Sequence, residues 1–367
     1  MVIHNNAKDN HKLSTDIKDR SWIWKNPDWL TFADRNEDFL SQAKELDGSE
    51  SKLTDLCSHQ SFKNEQFRIF AGNILANWNI EGIRLSRKSV RSSLANALGI
   101  GVAQWKKHGG RSKEERAVAA TLEMLSSAEP ISLELILSAH AMLRSDDQDD
   151  WGKIRNHPES VYAFDDDGAQ YSVYDAPPHE FVPEMMRRYL SWWRMSKNEL
   201  PRSAGAILAH LLFVVIHPFR DGNGRMARML ADRYLSESSG SLFRPYSLSV
   251  EIDRNRFEYY SALESITEAQ GMGRFLDFML AMHANAIDGA MERSLLLRQA
   301  HTYLNDNTII LSDSELELLH TCCAYPGHRW SFISATKDME DGEEAENAWN
   351  SLIEKGFISE NGIFGIP

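Results

Sequence analysis

Apolar residues recur at steps of three and four positions along most of the chain, which is the spacing of amphipathic helices. Between residues 31 and 98 the spacing is clearest at Phe67, Phe70 and Ile74, and Ser86 is typical of a residue that caps a helix start. The stretch Ala204–Ile216 is apolar almost all round, which predicts a central buried helix. The pattern predicts further helices over 113–125, from about 132, and over 181–197, 224–237, 253–269 and 273–300.

One segment breaks the helical pattern. Residues 159–175 alternate apolar and polar positions on both sides of Asp165–Gly168, and an Asp-Gly pair favours the tight turn of a β-hairpin. Two prolines, Pro177 and Pro178, close the segment. We therefore expect one β-hairpin in an otherwise helical protein.

The chain changes character from about residue 312. Two short helical patterns precede two short apolar segments, 357–359 and 362–364, and this order is typical of a winged-helix unit. The fold prediction is therefore a mainly α protein in three parts. They are an N-terminal helical region at 1–110, a central helical domain with the hairpin at 111–292, and a winged-helix-like domain at 293–367.

Composition and charge narrow the class of protein. A chain of 367 residues is too long for one ordinary core, and a hydrophobic content of 42% excludes a disordered chain. The net charge of −13 argues against a surface that binds the nucleic-acid backbone broadly.

The cysteines and the N-terminus bear on location. Cys57, Cys322 and Cys323 have neither the spacing of a zinc site nor that of a disulfide framework, so we expect the reducing cytoplasm. The N-terminus is polar and lacks the apolar core of a signal peptide. The longest apolar stretch is too short to span a bilayer, so no membrane role is expected.

The candidate chemistry is concentrated in residues 217–228, which read His-Pro-Phe-Arg-Asp-Gly-Asn-Gly-Arg-Met-Ala-Arg. Gly222 and Gly224 leave backbone N–H groups free to turn toward an anion, and the helix that follows directs its positive end to the same place. Two arginines one turn apart, Arg225 and Arg228, can bind phosphate oxygens.

Two more side chains of this segment complete the set. Asp221 stands beside the glycines, where a carboxylate is suited to hold Mg²⁺ against phosphates. His217 can accept a proton near neutral pH. A lone Gly-Asn-Gly turn or a lone histidine would indicate nothing, but their joint occurrence predicts a phosphotransfer site.

The segment HPFRDGNGRMAR resembles the signature of the Fic (filamentation induced by cAMP) family, HPFx(D/E)GNGRxxR, at every fixed position. The resemblance covers about 113–290 and implies a helical Fic core that transfers AMP from ATP to a Ser, Thr or Tyr hydroxyl of a protein, releasing pyrophosphate. By position it implies His217 as the base, Asp221 as the Mg²⁺ ligand and Phe219 as a packing anchor. The phosphate-binding residues that it implies are Gly222, Asn223, Gly224, Arg225 and Arg228.

A second resemblance lies upstream. Residues 77–82, Asn-Trp-Asn-Ile-Glu-Gly, are similar to the family's inhibitory motif, (S/T)xxxE(G/N). The resemblance implies that Glu81 pairs with Arg228, takes the place of the γ-phosphate and leaves ATP in an unproductive pose. Asn77 stands where the family has Ser or Thr, and its amide can still form hydrogen bonds.

Other site predictions are less specific. Tyr259 and Tyr260 lie where family members have a tyrosine of the adenine pocket, with two core residues as the alternative. His140 and His210 fall on apolar helix faces and are expected to be core histidines with satisfied ring nitrogens. The hairpin resembles the family's flap, which docks the target by strand addition. The predicted flap residues are Val161, Tyr162, Ala163, Tyr171 and Val173.

Three functions stay open. The first is an autoinhibited AMP transferase that uses ATP and Mg²⁺ and modifies a protein target or itself. The second is the reverse reaction, removal of AMP from a modified protein, in which Glu81 positions water. The third is a winged-helix DNA-binding regulator with a Fic core as sensor. The acidic second helix of the tail favours a protein contact or a homodimer over DNA.

Overall fold

The computed structural model confirms a mainly α-helical fold with one small sheet. It describes residues 2–4, 22–26, 28–31, 36–57, 63–99, 112–145, 149–164, 170–239, 241–266, 272–323, 328–336, 339 and 342–367.

Fourteen α-helices follow one another within these ranges. They are α1 (Glu37–Leu56), α2 (Lys63–Asn79), α3 (Arg87–Ala97), α4 (Lys113–Ser126), α5 (Leu133–Met142), α6 (Val182–Glu199), α7 (Arg202–Ile216), α8 (Asn223–Ser239), α9 (Leu248–Arg254), α10 (Arg256–Ser265), α11 (Met272–Asp306), α12 (Asp313–Cys323), α13 (Phe332–Thr336) and α14 (Gly342–Glu354). Short 3-10 turns lie at Ile23–Lys25 and His179–Phe181.

The central helix is α7, as its apolar sequence predicts. Nearly all of its side chains are buried, and it packs against α8, α6, α1 and α11. Burial of this kind is the main favourable term in folding, so α7 gives the neighbouring loops a rigid base. No helix in the described part of the chain combines the length and the apolar character that a membrane span needs.

The sheet contains the predicted hairpin and one more strand. Its strands are β1 (Val2–His4), β2 (Ser160–Phe164) and β3 (Gln170–Asp175). β2 pairs with β3 in antiparallel fashion, with an irregularity between Val161 and Tyr162, and β1 pairs in parallel along the other edge of β2. The predicted Asp165–Gly168 turn lies outside the described residues.

Two hydrophobic clusters build the interior. The larger one joins α2, α4–α8 and α10 to the first part of α11. The second joins the rest of α11 to α12, α14, Leu53 of α1 and Cys57 just after α1. α11 therefore belongs to both clusters, and the predicted boundary at residue 292 falls inside it.

One predicted helix is wrong in its extent. The segment 253–269 contains two helices, α9 and α10, and α9 begins at Leu248. The break lies at Asn255, which leaves the helical conformation and donates its side-chain amide to the Glu251 carbonyl. A short amide side chain of this kind competes for backbone groups and so ends helices. The predicted cap at Ser86 is present, since its side chain accepts from the Ser89 N–H.

The C-terminal segment consists of α12, α13 and α14 with two isolated strand bridges, Arg329 to Ile363 and Ile358 to Phe364. These bridges lie where the sequence predicts two short strands. The winged-helix interpretation and the three domain ranges stay predictions.

Candidate active site

The loop 217–222 connects α7 to α8 and presents His217 at the point where α7 ends. Pro218 cannot continue the helix, and His217 takes a left-handed backbone with φ of 50°. That conformation is costly for a residue with a Cβ and persists only where the surroundings hold it. The half-buried imidazole faces β3, with its ring centroid 6.3 Å from that of Tyr174.

Phe219 anchors the loop from below, as the resemblance implies. Its side chain is fully buried and stacks on His140 at 3.6 Å between ring centroids, and Trp151 also stacks on His140, at 5.0 Å. Asn223 ties the loop to itself, since its side chain accepts from the Phe219 N–H at 3.0 Å and donates to the Phe219 carbonyl at 2.7 Å. The amide of Asn223 therefore shapes the turn.

His140 holds the loop by hydrogen bonds as well. The Gly152 N–H donates to Nδ1 at 2.8 Å, which leaves Nε2 as the donor to the Asp221 carbonyl at 2.9 Å. Burial lowers the pKa of His140 to about 4, so the ring is neutral at pH 7. Both ring nitrogens are satisfied, as expected for a core histidine, and the ring also positions the loop.

The glycines of the loop are needed for two different reasons. Gly222 has φ of +82°, a conformation that side chains rarely adopt. At Gly224 an added Cβ would lie 2.5 Å from Glu81 Oε1 and 3.2 Å from Arg228 Nη1. Only glycine at 224 therefore lets the Glu81 carboxylate approach the first turn of α8.

The Glu81 carboxylate forms an ion pair with the Arg228 side chain. Nη2 of Arg228 donates to Glu81 at 2.7 Å and to the Asn77 carbonyl at 3.0 Å, and Nε donates to Asn77 Oδ1 at 2.6 Å. The third nitrogen, Nη1, donates to the Tyr259 hydroxyl at 3.3 Å. The predicted pair of Glu81 and Arg228 is thus present, and Asn77 supplies two acceptors to the same guanidinium.

Arg225 has different surroundings. Its guanidinium lies 5.8 Å from the Trp78 ring centroid and 5.9 Å from that of Trp151, and Nη2 donates to Asp221 at 3.1 Å. Asp221 also accepts from the Gly222 N–H, and its side chain is 45% exposed. Arg225 therefore braces the carboxylate in this structure, and its predicted contact with phosphate stays a prediction.

The surroundings shift the pKa values of His217 and Arg228 in opposite directions. Burial, with a smaller effect of the Arg155 guanidinium, lowers the pKa of His217 to about 4, so the imidazole is neutral and basic at pH 7. Burial opposes the charge of Arg228, but Glu81 and the adjacent tyrosines outweigh it and raise the pKa of Arg228 above its usual value.

One cavity joins several of these groups. It is lined by Glu81, His217, Asn223 and Gly224, together with apolar side chains of the hairpin, α7 and the α10 region. The remaining lining residues are Val161, Val173, Tyr174, Val214, Tyr259, Leu263, Glu264 and Ile266.

Some of the predicted site residues line this cavity and others do not. Val161, Val173 and Tyr259 line it, whereas Arg225 and Tyr260 are not among the described lining residues. Tyr260 instead donates to the Ile80 carbonyl at 2.7 Å and so holds the turn that carries Glu81. Tyr162 is exposed and lies outside the lining, and the side chains of Ala163 and Tyr171 lie outside the description.

His210 departs from expectation in part. Its Nε2 lies 2.9 Å from the Tyr259 hydroxyl, but Nδ1 has no hydrogen-bond partner among the described residues. Burial lowers the pKa of His210 to about 3, so the ring stays neutral. The His210 ring therefore holds the Tyr259 hydroxyl in place by a hydrogen bond.

Sequence reasoning missed two residues of this site. Glu264 lines the cavity, and burial raises the pKa of its carboxyl. Its place one turn after Tyr260 was the available signal. Arg155 is 4% exposed and lies against the His217 backbone, and nothing in its sequence neighbourhood indicates this position.

Asp221 is the carboxylate that the loop offers to a metal. The described residues contain no group of three or more His, Cys, Asp or Glu side chains that could enclose an ion. A single half-exposed carboxylate fits Mg²⁺, which is usually held by one or two carboxylates, phosphate oxygens and water.

Comparison with known proteins gives two family matches, the Fic/DOC family at residues 130–235 and a domain of unknown function (DUF4172) at residues 22–100. The chain is 36% identical over 118 residues to a probable protein adenylyltransferase of Aquifex aeolicus, covering 30% of this chain and 33% of that protein. It is 31% identical over 195 residues to the protein adenylyltransferase fic-1 of Caenorhabditis briggsae, covering 50% and 34%. The chain thus spans about a third of the length of these curated relatives.

A solved structure extends the likeness of fold. A Fic family protein from Desulfovibrio desulfuricans aligns with a TM-score of 0.51 at 22% identity, covering 87% of this chain and 90% of that one. The helical fold is therefore shared over most of the chain.

Proposed function

We propose that the chain, whose residues 130–235 match the Fic/DOC family, is a protein adenylyltransferase, which transfers AMP from ATP to a Ser, Thr or Tyr hydroxyl of a protein. The observation that carries the proposal is the single cavity shared by His217, the Asn223–Gly224 turn and Glu81. A base, an anion-binding helix end and an internal carboxylate meet around one space.

In the proposed reaction the target hydroxyl oxygen attacks the α-phosphorus of ATP while the His217 imidazole takes the hydroxyl proton. The new bond joins oxygen to α-phosphorus, the bond from α-phosphorus to the bridging oxygen breaks, and pyrophosphate leaves. The pKa of His217, about 4, keeps the ring neutral at pH 7. Bound phosphates beside it would raise that pKa toward neutrality and strengthen the base.

We assign the phosphates to the start of α8. Gly222 and Gly224 leave the backbone open there, and the helix dipole favours negative charge. Arg228 is the guanidinium that borders this place once Glu81 moves away. Asp221 would hold Mg²⁺, which when bound neutralises phosphate charge.

Inhibition by Glu81 is part of the proposal, and two contacts support it. The carboxylate accepts a hydrogen bond from the Arg228 nitrogen that we assign to the γ-phosphate, and it lies against Gly224. The two anions cannot occupy that position together because like charges repel and the added volume has no room. Tyr260 and the paired Asn77 stabilise the inhibited arrangement.

The hairpin is the proposed docking edge for the target. A docking strand can add to the free edge of a sheet by backbone hydrogen bonds. In this structure β1 takes the outer edge of β2, so a target strand replaces β1 or adds to β3. β1 itself, Val2–His4, carries no hydroxyl, so self-modification stays a prediction from the sequence.

The test is incubation with α-labelled ATP, Mg²⁺ and cell lysate, followed by mass spectrometry of the labelled proteins. Glu81→Gly should label proteins about tenfold or more above wild type, since such couplings are typically 5- to 150-fold. His217→Ala in the same background should label none. Equal labelling with and without His217 would contradict the proposed base.

Removal of AMP is the second candidate reaction, because Glu81 lines the same cavity as His217 and could orient a water molecule there. The experiment starts from protein already labelled with AMP. If wild type releases the label, and Glu81→Gly loses release but gains transfer, the chain works mainly in this reverse direction.

Other predictions from the sequence belong to this proposal. They are the cytoplasmic location, the homodimer and the winged-helix tail. A salt-dependent mobility shift on DNA would favour the regulator hypothesis, and the net charge of −13 predicts no such shift.

A further inference from the structure

Arg155 is a buried cation that the proposed chemistry does not use. It lies between α5 and β2, and its side chain is 4% exposed. Among the described residues no carboxylate lies within ion-pair distance of it, although Glu159 and Glu180 favour its charge from farther away. Burying a guanidinium without a carboxylate in direct contact is costly, which indicates a specific role.

Four hydrogen bonds define that role. On the loop, the Arg155 N–H donates to the Pro218 carbonyl at 2.9 Å and Nε donates to the His217 carbonyl at 2.7 Å. On the hairpin, Nη1 donates to the His157 carbonyl at 2.9 Å and Nη2 to the Pro177 carbonyl at 2.6 Å.

The two carbonyls that accept on the hairpin side flank its two ends. His157 precedes β2 by three residues, and Pro177 follows β3 by two. The Ala176 N–H donates to the Glu159 carbonyl at 3.0 Å and closes the base between them. One planar guanidinium therefore connects both ends of the hairpin to the residue that carries the imidazole.

The loop acceptors are just as specific. His217 has the left-handed backbone, and its carbonyl leaves the helical hydrogen-bond pattern at the end of α7. A hydroxyl presented from the hairpin must meet the imidazole within hydrogen-bond distance, and small misplacement is costly in rate. A second tie runs from the Tyr174 hydroxyl to the Val215 carbonyl, but it reaches α7 and not the loop.

We propose that Arg155 is a positioning residue that fixes the hairpin relative to His217, so that a hydroxyl docked on the hairpin meets the imidazole. The inference rests on the proposed transfer reaction. It assigns to Arg155 the alignment of the target, while ATP affinity is left to α8.

The experiment compares Arg155→Met and Arg155→Lys with a matched control. Arg233 is also buried and also donates to backbone carbonyls, those of Met124, Ser127 and Glu129, but these bonds tie α8 to the end of α4 and the segment after it. Arg233 also pairs with Glu237, so Arg233→Met removes at least as many contacts as Arg155→Met, all of them away from the hairpin. All variants are made in the full chain with Glu81→Gly.

Two measurements separate alignment from stability. Hydrogen exchange should rise in β2, β3 and residues 217–222 together in Arg155→Met, less in Arg155→Lys, and in neither region in Arg233→Met. With α-labelled ATP and lysate, the maximal labelling rate should fall about 100-fold in Arg155→Met, in line with a misplaced reacting group. The ATP concentration for half-maximal labelling should change less than threefold.

The proposal is overturned if Arg155→Met raises exchange on one side alone, if Arg233→Met gives the same pattern, or if ATP affinity falls in step with the rate. Should the Met variant not fold, Arg155→Lys carries the comparison. If the Glu81→Gly parent labels no protein, the transfer function is contradicted, and hydrogen exchange alone then decides whether Arg155 ties the hairpin to the loop.

Discussion

Arg225 and Arg228 stand one turn apart on α8 and are equally buried, at 2% exposure, yet their surroundings differ. All three guanidinium nitrogens of Arg228 donate hydrogen bonds, and a carboxylate balances its charge. Arg225 has one hydrogen bond, to Asp221, while Nε and Nη1 have no partner among the described residues.

The difference shows how one motif serves two purposes. Around Arg228 the position is closed by the protein's own anion, Glu81, which we propose an incoming phosphate displaces. Around Arg225 the rings of Trp78 and Trp151 stabilise a cation that is only partly paired. Nε and Nη1 of Arg225 therefore have no described partner beside Asp221, where Mg²⁺-bound phosphates are proposed to lie.

The largest expected effect is on folding stability. Arg228→Met should lower the free energy of unfolding by about 3–5 kcal/mol, because it leaves Glu81 and Asn77 unpaired in the interior. Arg225→Met, the matched control, should cost about 1 kcal/mol, since its carboxylate partner is half exposed. Urea unfolding measures both, and equal losses would contradict the contrast between the two arginines.

The next effect is on the pH dependence of stability. His140, His217, His210 and His283 have folded pKa values of about 4, 4, 3 and 3, below the ordinary value of 6.5. The unfolded chain therefore binds protons first as the pH falls, so stability is full above 6.5 and declines toward pH 3–4.

From pH 6.5 to 5.5 we expect a loss of about 2–4 kcal/mol for the four groups together. Urea unfolding at a series of pH values measures the slope. His210→Gln should make the slope shallower by about one proton, and an unchanged slope would show that His210 does not stay neutral in the folded protein.

A smaller effect concerns ATP. If Glu81 blocks Arg228, ATP with Mg²⁺ should stabilise Glu81→Gly more than wild type, by about 1.4 kcal/mol for each tenfold gain in affinity. Thermal unfolding with and without nucleotide measures this difference. His217→Ala serves as the control and should respond as wild type does, since the base is not expected to bind the triphosphate. Equal stabilisation of wild type and Glu81→Gly would count against the block.

The smallest effect concerns Asn77, which stands where the inhibitory motif has Ser or Thr. Asn77→Ala should lower the free energy of unfolding by about 1–2 kcal/mol, because Arg228 Nε loses its acceptor while the main-chain acceptor stays. Asn77→Ser restores a hydroxyl of the family type and should recover part of that loss. A Ser variant as unstable as the Ala variant would show that the amide length matters.

The sequence predicts contiguous features of this molecule well. Residues 217–228 carry base, glycines and arginines in one run, so local geometry follows from their order. The pair of Glu81 and Arg228 was accessible because a motif marks each partner. Arg155 was not accessible, because its partners are four backbone carbonyls, and any residue has a carbonyl.

Tyr260 and Asn255 show that the sequence pattern does not predict which way a side chain points or where a helix breaks. Tyr260 neighbours the cavity-lining Tyr259 in sequence, but one step along a helix turns the side chain by about 100°, toward Ile80. Asn255 interrupts a helical pattern by donating its side-chain amide to the Glu251 carbonyl, a bond that the spacing of apolar residues does not predict.

The length of α11 has a mechanical consequence. Its 35 residues form a rod about 50 Å long, with one end packed on α10, which carries Tyr259, and the other inside the C-terminal cluster. α11 therefore connects the packing behind the cavity wall to that of the C-terminal cluster. Cutting the chain within α11 would leave neither half with a complete interior.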